Sequence, residues 1–246
     1  MYKFVKQIIP KKIRKTIKEK WAESSTTIQQ KKWEKKYGSG PKIFGIGNNK
    51  TGTTSLEKAV RDLGFKVGNQ RQAELFHDEW SMRNFTPIIE YCKTAEFFQD
   101  FPFSKSFTFI ALDQAFPNSK FILTVRDNPE QWYNSVTGFH AKLWGKDGRI
   151  PTKEDLQNAT YIFKGRPWLM NRLNYTTPES NPYQKDILIK SYIDYNNSVL
   201  EYFRHRQEDL LVLNVADKDA YRKLCLFLNK PVTSDEFPWE NKTATK

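Results

Sequence analysis

The segment from Lys42 to Ser55, KIFGIGNNKTGTTS, decides the fold of this chain of 246 residues. Its first half, residues 42–47, is an apolar run that ends in glycine, which predicts a short strand entering a tight turn. Helical spacing follows over residues 53–63, and Gly64 supplies a C-terminal cap. Because the N–H groups at the start of a helix attract anions, this strand–turn–helix unit predicts a site for a phosphate or sulfate group.

The turn itself supplies the candidate ligands of that anion. Gly47 and Gly52 allow a tight backbone path, and Lys50 adds a positive charge. Threonine and serine hydroxyls add further donors. The candidate anion-binding residues are Asn49, Lys50, Thr51, Gly52, Thr53, Thr54 and Ser55. The competing interpretation is an ordinary strand–turn–helix connection that carries an exposed lysine.

The order of residues in the turn disfavours two common nucleotide sites. A nucleotide-triphosphate loop has its lysine directly after the second glycine, whereas Lys50 precedes Gly52. A dinucleotide fingerprint begins at Gly45 and Gly47, but Lys50 stands where its third glycine belongs. A nucleotide kinase or NTPase of related loop fold stays open as an alternative function.

Strands and helices alternate along the rest of the chain. Predicted strands occupy residues 42–47, 65–68, 94–99, 120–125 and 210–215, of which the last two are apolar enough to be buried. Predicted helices occupy residues 53–63, 70–93 with a break near Pro87, 104–115, 129–144, 185–206 and 217–228. Turn signals and one or two short helices over residues 145–182 are typical of a lid or an acceptor-binding insertion. This alternation predicts an α/β fold, a three-layer sandwich with a mainly parallel central sheet.

Two motifs of this pattern resemble those of a known enzyme family. Residues 50–56, KTGTTSL, are similar to the 5′-phosphosulfate loop of sulfotransferases, which move a sulfuryl group from 3′-phosphoadenosine 5′-phosphosulfate (PAPS) to an acceptor. The family's second motif is a buried strand, an arginine and a serine on the next helix. Residues 120–129, KFILTVRDNP, are similar to it, with Arg126 and Ser135 in the two polar positions. The gap between these two residues is one residue longer than is usual, and the resemblance covers residues 41–246.

The resemblance implies a P-loop-like fold, PAPS as donor, 3′-phosphoadenosine 5′-phosphate (PAP) as product, and no required metal. It implies that Lys50 stabilises the leaving group and that Arg126 and Ser135 hold the 3′-phosphate. Sulfuryl transfer, like loose phosphoryl transfer, depends on positioning and charge stabilisation, which a lysine and a forked guanidinium supply. The competing interpretation of Arg126 is a structural ion pair with Asp127.

A base must take the proton of the acceptor hydroxyl. Cytosolic members of the resembled family use a histidine two residues before a proline, and Asp100 occupies that place before Pro102. Other branches use carboxylates, so Asp100 is the candidate general base; the competing interpretation is that it caps a helix or fixes a turn. Alternative bases are Glu74, His77 and Lys105, which the helix-like flanking sequence predicts to be ordinary surface residues. His140 and His205 are predicted to be helix residues without a catalytic task.

The acceptor is indicated only by the types of residue that line a cleft. Aromatic and basic side chains suit a small molecule, a glycan or a lipid-linked glycan, although aromatic residues also build cores. The candidate lining residues are Trp80, Arg83, Phe101, Trp144, Tyr161 and Trp168.

The N-terminal arm, residues 1–40, carries most of the basic charge. It holds 12 basic and 3 acidic residues, whereas the whole chain has a net charge of +12. Apolar residues recur every fourth position within residues 1–21, which predicts a basic amphipathic helix interrupted at Pro10. This helix could pack on the main domain, lie on an anionic membrane, or bind nucleic acid or a partner protein. Residues 22–40 predict a weaker helix and a linker, so that the sulfotransferase-like domain begins near residue 41.

The charge of the main body disfavours nucleic acid as its partner, because its basic and acidic residues nearly balance. No stretch is long and apolar enough to span a membrane, and the N-terminus does not resemble a secretory signal. A glycosylation sequon, Asn49-Lys50-Thr51, also falls inside the proposed donor loop. These features predict a cytoplasmic, bacterial enzyme, with peripheral attachment to the inner membrane as an option. The alternative to an enzyme is a non-catalytic binding protein that the arm recruits to a membrane or to nucleic acid.

Overall fold

The computed structural model describes residues 27–38 and 40–238, with side chains from residue 32 onward. These residues form two compact units. The sheet unit contains the described residues up to Asp127 and those from Tyr195 onward, and the helical unit contains residues 128–194.

A four-stranded, all-parallel sheet lies at the centre of the sheet unit. The strands of the protein are β1 (Ile43–Gly45), β2 (Phe97–Gln99), β3 (Lys120–Thr124), β4 (Thr160–Tyr161), β5 (Phe163–Lys164) and β6 (Leu210–Leu213). The central sheet has the order β2-β1-β3-β6, with Gly45 opposite both Gln99 and Ile122. Helices flank this sheet, which confirms the predicted α/β class with a parallel central sheet.

Phenylalanine side chains fill the core beside the inner strands. The ring of Phe44 on β1 lies 5.4–6.2 Å, centroid to centroid, from four other rings, those of Phe98, Phe103, Phe116 and Phe121. All five side chains are at most 2% exposed. Burial of rings of this size contributes about 1.5–3 kcal/mol each, so this cluster fixes the strands from which the functional residues emerge.

The helices follow the predicted order. They are α1 (Thr27–Tyr37), α2 (Thr53–Asp62), α3 (Gln70–Ala73), α4 (His77–Ser81), α5 (Thr86–Tyr91), α6 (Thr108–Ala115), α7 (Pro129–Trp144), α8 (Lys153–Asn158), α9 (Arg166–Asn174), α10 (Lys185–Tyr202) and α11 (Ala220–Phe227). Single turns of 3-10 helix occupy Cys92–Thr94, Lys146–Gly148 and Gln207–Asp209. The helix predicted over residues 129–144 has the observed bounds of α7, because Asn128 caps its N-terminus and Pro129 begins it.

Several predicted elements are shorter or more broken than expected. The strand predicted over residues 65–68 is a single parallel bridge between Val67 and Phe97. The helix predicted over residues 70–93 is three short helices. The predicted break near Pro87 is confirmed, since residues 82–85 separate α4 from α5, whose first turn contains Pro87. The helix predicted from residue 104 begins at Thr108, because turns occupy the preceding residues.

The last predicted strand and helices also need correction. The strand predicted as buried over residues 210–215 is the edge strand β6, where Val212 is 44% exposed. A strand at an edge has a neighbour on one side only, which leaves part of it open to solvent. The helix predicted over residues 185–206 ends at Tyr202, and the one predicted from residue 217 begins at Ala220.

The helical unit is built around aromatic side chains. Trp132 on α7 stacks on Tyr192 of α10 with 4.6 Å between ring centroids, and both are at most 4% exposed. Two short helices, α8 and α9, lie within residues 145–182, as the sequence predicts. Between them, β4 and β5 form an antiparallel hairpin that the sequence analysis misses, since each strand has two residues.

The predicted amphipathic helix of residues 1–21 lies outside the described residues. Within residues 22–40, α1 contacts other residues of the sheet unit. The Nζ of Lys66 lies 4.5 Å from the centroid of the Trp33 ring, and the Nζ of Lys42 donates to the carbonyl oxygen of Tyr37 at 2.7 Å. Among the described residues, no helix is both long enough and apolar enough to cross a bilayer. The proposed domain boundary near residue 41 stays a prediction.

Candidate functional site

The anion loop, residues 47–55, leaves the carboxyl end of β1 and leads into α2. Gly47 allows it to pass close to the neighbouring strand: a Cβ at this position would lie 2.5 Å from the carbonyl oxygen and 2.6 Å from the nitrogen of Thr124. Gly52 has a φ of 99° and caps α2, where a Cβ would meet the side chain of Val215. Both glycines are therefore required by space, and the second also by backbone conformation.

Substitution of Gly47 by alanine should test this close approach. The added Cβ meets backbone atoms, which cannot rotate away, so Gly47→Ala should lower the free energy of unfolding by about 1–3 kcal/mol. Gly138→Ala is the matched control, because a Cβ there meets no atom within 4 Å and the exposed middle of α7 should gain roughly 0.5–1 kcal/mol. Urea unfolding of both variants measures the difference. Equal stabilities would show that the backbone at Gly47 is free to move.

Buried threonines hold the loop against β3. The hydroxyl of Thr51 lies 2.6 Å from that of Thr124 and donates to the carbonyl oxygen of Asn48, and both threonines are 0% exposed. Thr51 thus shapes the loop from within, whatever its part in anion binding. The first turn of α2 contains no acidic residue and its N-terminus has no side-chain cap, so the helix itself places no negative charge at its positive end.

Tyr195 supports the same loop from α10. Its hydroxyl donates to the carbonyl oxygen of Ile46, at the base of the loop, over 2.6 Å. Burial raises the pKa of Tyr195, so the phenol stays protonated and keeps donating. Sequence reasoning misses this residue, because a single tyrosine in a long helix carries no signal of its long-range partner.

The two sequence motifs meet at Lys50 and Arg126. Lys50 has a left-handed φ of 67° and is half-buried. The Nε of Arg126, which follows the end of β3, donates to the carbonyl oxygen of Lys50 over 2.7 Å. Because β1 and β3 are parallel neighbours, both residues leave the sheet at the same edge.

Asp127, the neighbour of Arg126, also has a partner within the sheet unit. The carboxylate of Asp127 accepts a hydrogen bond from the Nδ2 of Asn214, just beyond β6. The Nε of Arg126 thus donates to the loop, and the rival interpretation of Arg126 as a structural ion pair with Asp127 stays a prediction.

Asp100 follows β2 at the same edge of the sheet. It has a left-handed φ of 59°, and its Oδ1 accepts a hydrogen bond from the N–H of Phe101 over 2.9 Å. Its carbonyl oxygen accepts from the N–H of Ser104 over 2.8 Å. Asp100 therefore shapes a turn, as the competing interpretation expects. It also lies one strand away from the anion loop, since Gln99 is opposite Gly45 in the sheet.

The alternative bases have diverse surroundings. The prediction that Glu74 and His77 are ordinary surface residues is wrong, since they are 6% and 5% exposed. Glu74 lies in the turn that separates α3 from α4, and His77 is the first residue of α4, so the two side chains do not follow the face of one continuous helix. Lys105 is partly exposed in the turn after Asp100.

The two remaining histidines also differ from each other. His140 lies on α7, as predicted, with its Nδ1 2.8 Å from the hydroxyl oxygen of Tyr183. The prediction that His205 is a helix residue is wrong, because α10 ends at Tyr202 and His205 is in the turn that follows.

The predicted acceptor residues divide between the two units. Trp80, Arg83 and Phe101 lie together in the sheet unit, with 5.7 Å between the ring centroids of Trp80 and Phe101. Trp144, Tyr161 and Trp168 belong to the helical unit, where Trp168 is 2% exposed and forms part of its core. Ser135 lies on α7 of the helical unit and is partly exposed, and its role in binding stays a prediction.

The glycine-bearing loop after β1 lies beside an arginine that follows the adjacent parallel strand β3, an arrangement that suits a phosphate or sulfate group. Residues 42–245 match the family described as the sulfotransferase domain. The chain belongs to this family and is a transferase of sulfuryl groups. A search of curated proteins gives no match. Within the described part of the chain, no group of three or more His, Cys, Asp or Glu side chains is arranged to hold a metal ion.

Proposed function

We propose that the protein transfers a sulfuryl group from PAPS to a hydroxyl group of an acceptor and releases PAP. The observation that carries this proposal is the contact between Arg126 and the carbonyl oxygen of Lys50. This contact places a guanidinium that suits one phosphate beside a loop that suits another. A nucleotide with phosphates at both the 3′ and the 5′ positions of its ribose requires such an arrangement.

The residues of the sheet unit fit the donor by charge and shape. The 5′-phosphosulfate would lie on the N–H groups of the anion loop, with hydroxyls of Thr53, Thr54 and Ser55 as further donors and Asn49 beside them. Arg126 would bind the 3′-phosphate through the nitrogens that its loop contact does not use. Ser135 is the proposed second donor to that phosphate.

Two residues are proposed to act on the reacting atoms. Bound PAPS supplies the sulfuryl group, and the bond that breaks joins its sulfur to the bridging oxygen of the 5′-phosphate. The ammonium of Lys50 stabilises the charge that develops on this oxygen. The carboxylate of Asp100 accepts the proton of the acceptor hydroxyl as its oxygen bonds to sulfur.

The proposed acceptor is a hydroxyl of a glycan, of a lipid-linked glycan or of a small molecule. Support comes from aromatic and basic residues beside the turn of Asp100. Phe101 follows Asp100, the Trp80 ring contacts that of Phe101, and the Arg83 guanidinium contacts the Trp80 ring. Binding of residues 1–21 to an anionic membrane, a cytoplasmic location and peripheral attachment are further proposals.

Deletion of residues 1–26, which leaves α1 in place, should preserve transfer to a soluble acceptor and abolish binding to anionic vesicles.

Calorimetric titration with PAP and with ADP tests the proposed donor. PAP should bind at least about tenfold more tightly than ADP, since a charge-assisted hydrogen bond to the 3′-phosphate contributes roughly 1.5–3 kcal/mol. Magnesium should not alter this preference. Equal binding of ADP that depends on magnesium would instead support a kinase or NTPase. A screen of glycans with labelled PAPS then identifies the acceptor.

Substitution of Arg126 separates its two possible tasks. Arg126→Ala should weaken PAP binding by about 10–100-fold, because it removes a charge-assisted pair. The comparison ligand is adenosine 5′-phosphosulfate, which lacks the 3′-phosphate and should lose less than about threefold. Equal losses for both ligands, measured by calorimetry, would show that Arg126 acts only by supporting the loop at Lys50.

A further inference from the structure

Arg83 occupies a backbone position that favours glycine. It follows α4 with a left-handed φ of 58°. The N–H of Arg83 donates to the carbonyl oxygen of Trp80 over 3.0 Å, and the N–H of Asn84 donates to that of Glu79 over 2.9 Å. This pair of bonds is the helix-ending motif in which glycine is the usual residue at the left-handed position. The backbone therefore gains nothing from an arginine here.

The guanidinium of Arg83 is stacked between two aromatic rings. Its central carbon lies 5.1 Å from the centroid of the Trp80 ring and 4.6 Å from that of Phe107. Phe107 also has a left-handed φ, 67°, and its side chain is 53% exposed. Two large residues thus hold unfavourable backbone conformations in one place, a feature that clusters at ligand-binding sites.

No described carboxylate neutralises this guanidinium. Its one hydrogen bond among the described residues is a long one, 3.5 Å from Nη1 to the carbonyl oxygen of Trp80. Loss of hydration beside the rings lowers the pKa of Arg83, and no neighbouring acid offsets this effect. The residue is nevertheless exposed, so a ligand can reach it. The rings therefore present an oriented cation to the solvent.

The stacked guanidinium adjoins the turn of the proposed base. Trp80 is 5% exposed, and its ring meets that of Phe101 edge to face at 5.7 Å. Phe101 directly follows Asp100 and donates its N–H to that carboxylate. The indole N–H of Trp80 points to the carbonyl oxygen of Ser106, in the segment that leads to Phe107. Asp100 and the two rings around Arg83 thus belong to one connected structure.

We propose that Arg83 binds an oxyanion of the acceptor, a carboxylate or a phosphate or sulfate ester, and so makes the protein selective for acidic acceptors. This inference rests on the proposed sulfuryl transfer and names the acceptor class of the same site. The planar fork of a guanidinium fits two oxygens of such a group, and stacking fixes its plane in advance.

Calorimetry on the full chain saturated with PAP tests this selectivity. The probes are trigalacturonate against its methyl ester, which differ in carboxylate charge, and glucose 6-phosphate against glucose, which differ in a phosphate. At least one acidic probe should bind about tenfold or more tightly than its neutral counterpart, and the pair that does so identifies the oxyanion. Arg83→Gln and Arg83→Gly should each abolish that preference.

Further measurements on these variants separate binding from folding. Arg83→Gly should keep the Tm within about 3 °C of wild type, because glycine suits the left-handed position while the stacking is lost. Arg222→Gln is the matched control: Arg222 is an exposed arginine of α11 in the same unit, and this variant should keep the preference.

The possible failures of this test are distinct. If PAP binds but neither acidic probe is preferred, or if the preference survives in both Arg83 variants, the acceptor inference is overturned. A preference lost equally in Arg222→Gln would overturn it as well, because general surface charge would then explain it. Absence of PAP binding would instead overturn the proposed function.

Discussion

Asp100→Asn should lower the rate of sulfuryl transfer by about 10²–10⁴-fold, the range expected for loss of a general base. Asparagine keeps an Oδ1 that can accept the N–H of Phe101, and it tolerates the left-handed φ of 59°. The substitution therefore preserves the turn and removes the basic carboxylate. The measurement is kcat with labelled PAPS and the acceptor that the glycan screen identifies.

Asp147→Asn is the matched control for this variant. Asp147 is also left-handed, with a φ of 51°, and it is exposed in the helical unit. The control should retain the wild-type rate. If Asp100→Asn loses less than about tenfold while PAP binding is normal, Asp100 serves the turn and the base must be sought elsewhere. Glu74, His77 and Lys105 would then be tested in turn.

Lys50→Ala should lower kcat by about 10²–10³-fold, the usual effect of removing one preorganised donor from a developing negative charge. PAP should still bind, because the loop N–H groups and Arg126 are retained. The left-handed φ of 67° at Lys50 disfavours alanine, so Lys50→Asn is a second variant that removes the charge with less backbone strain. Both variants should lose a similar part of the rate in the same labelled assay.

Lys218→Ala controls for the loss of a surface lysine, since Lys218 is exposed in the same unit. Its rate should equal that of the wild type. A wild-type rate in both Lys50 variants would show that the ammonium plays no part in stabilising the leaving group. A loss in Lys50→Ala alone would assign the effect to the shape of the loop.

Local patterns predict the parts of the fold that local forces determine. The strand at Ile43, the turn through Gly47 and Gly52, and the helix from Pro129 each carry their own signal in apolar runs, glycines or caps. The parallel order follows from the alternation of strands and helices, because such connections place the carboxyl ends of strands at one edge. That is why two motifs far apart in sequence meet in the contact of Lys50 with Arg126.

Features that depend on long-range packing could not be predicted. Three such features are the hydrogen bond from Tyr195 to Ile46, the burial of His77 and the stacking of Phe107 on Arg83. Each depends on contacts between segments that are separated in sequence, and no local sequence pattern indicates those contacts. Exposure of β6 likewise depends on its place at the sheet edge rather than on its apolar composition. The type of Arg83 predicts it as a lining residue, but its left-handed backbone carries no sequence signal.

A crystal structure of the protein with PAP tests the central claim most directly, that the anion loop and Arg126 bind the two ends of one nucleotide. The 5′-phosphate should accept hydrogen bonds from N–H groups of residues 47–55, and the 3′-phosphate should lie within hydrogen-bonding distance of the Arg126 guanidinium. A PAP molecule that touches the loop while its 3′-phosphate points away from Arg126, or that binds at another place, would contradict the claim.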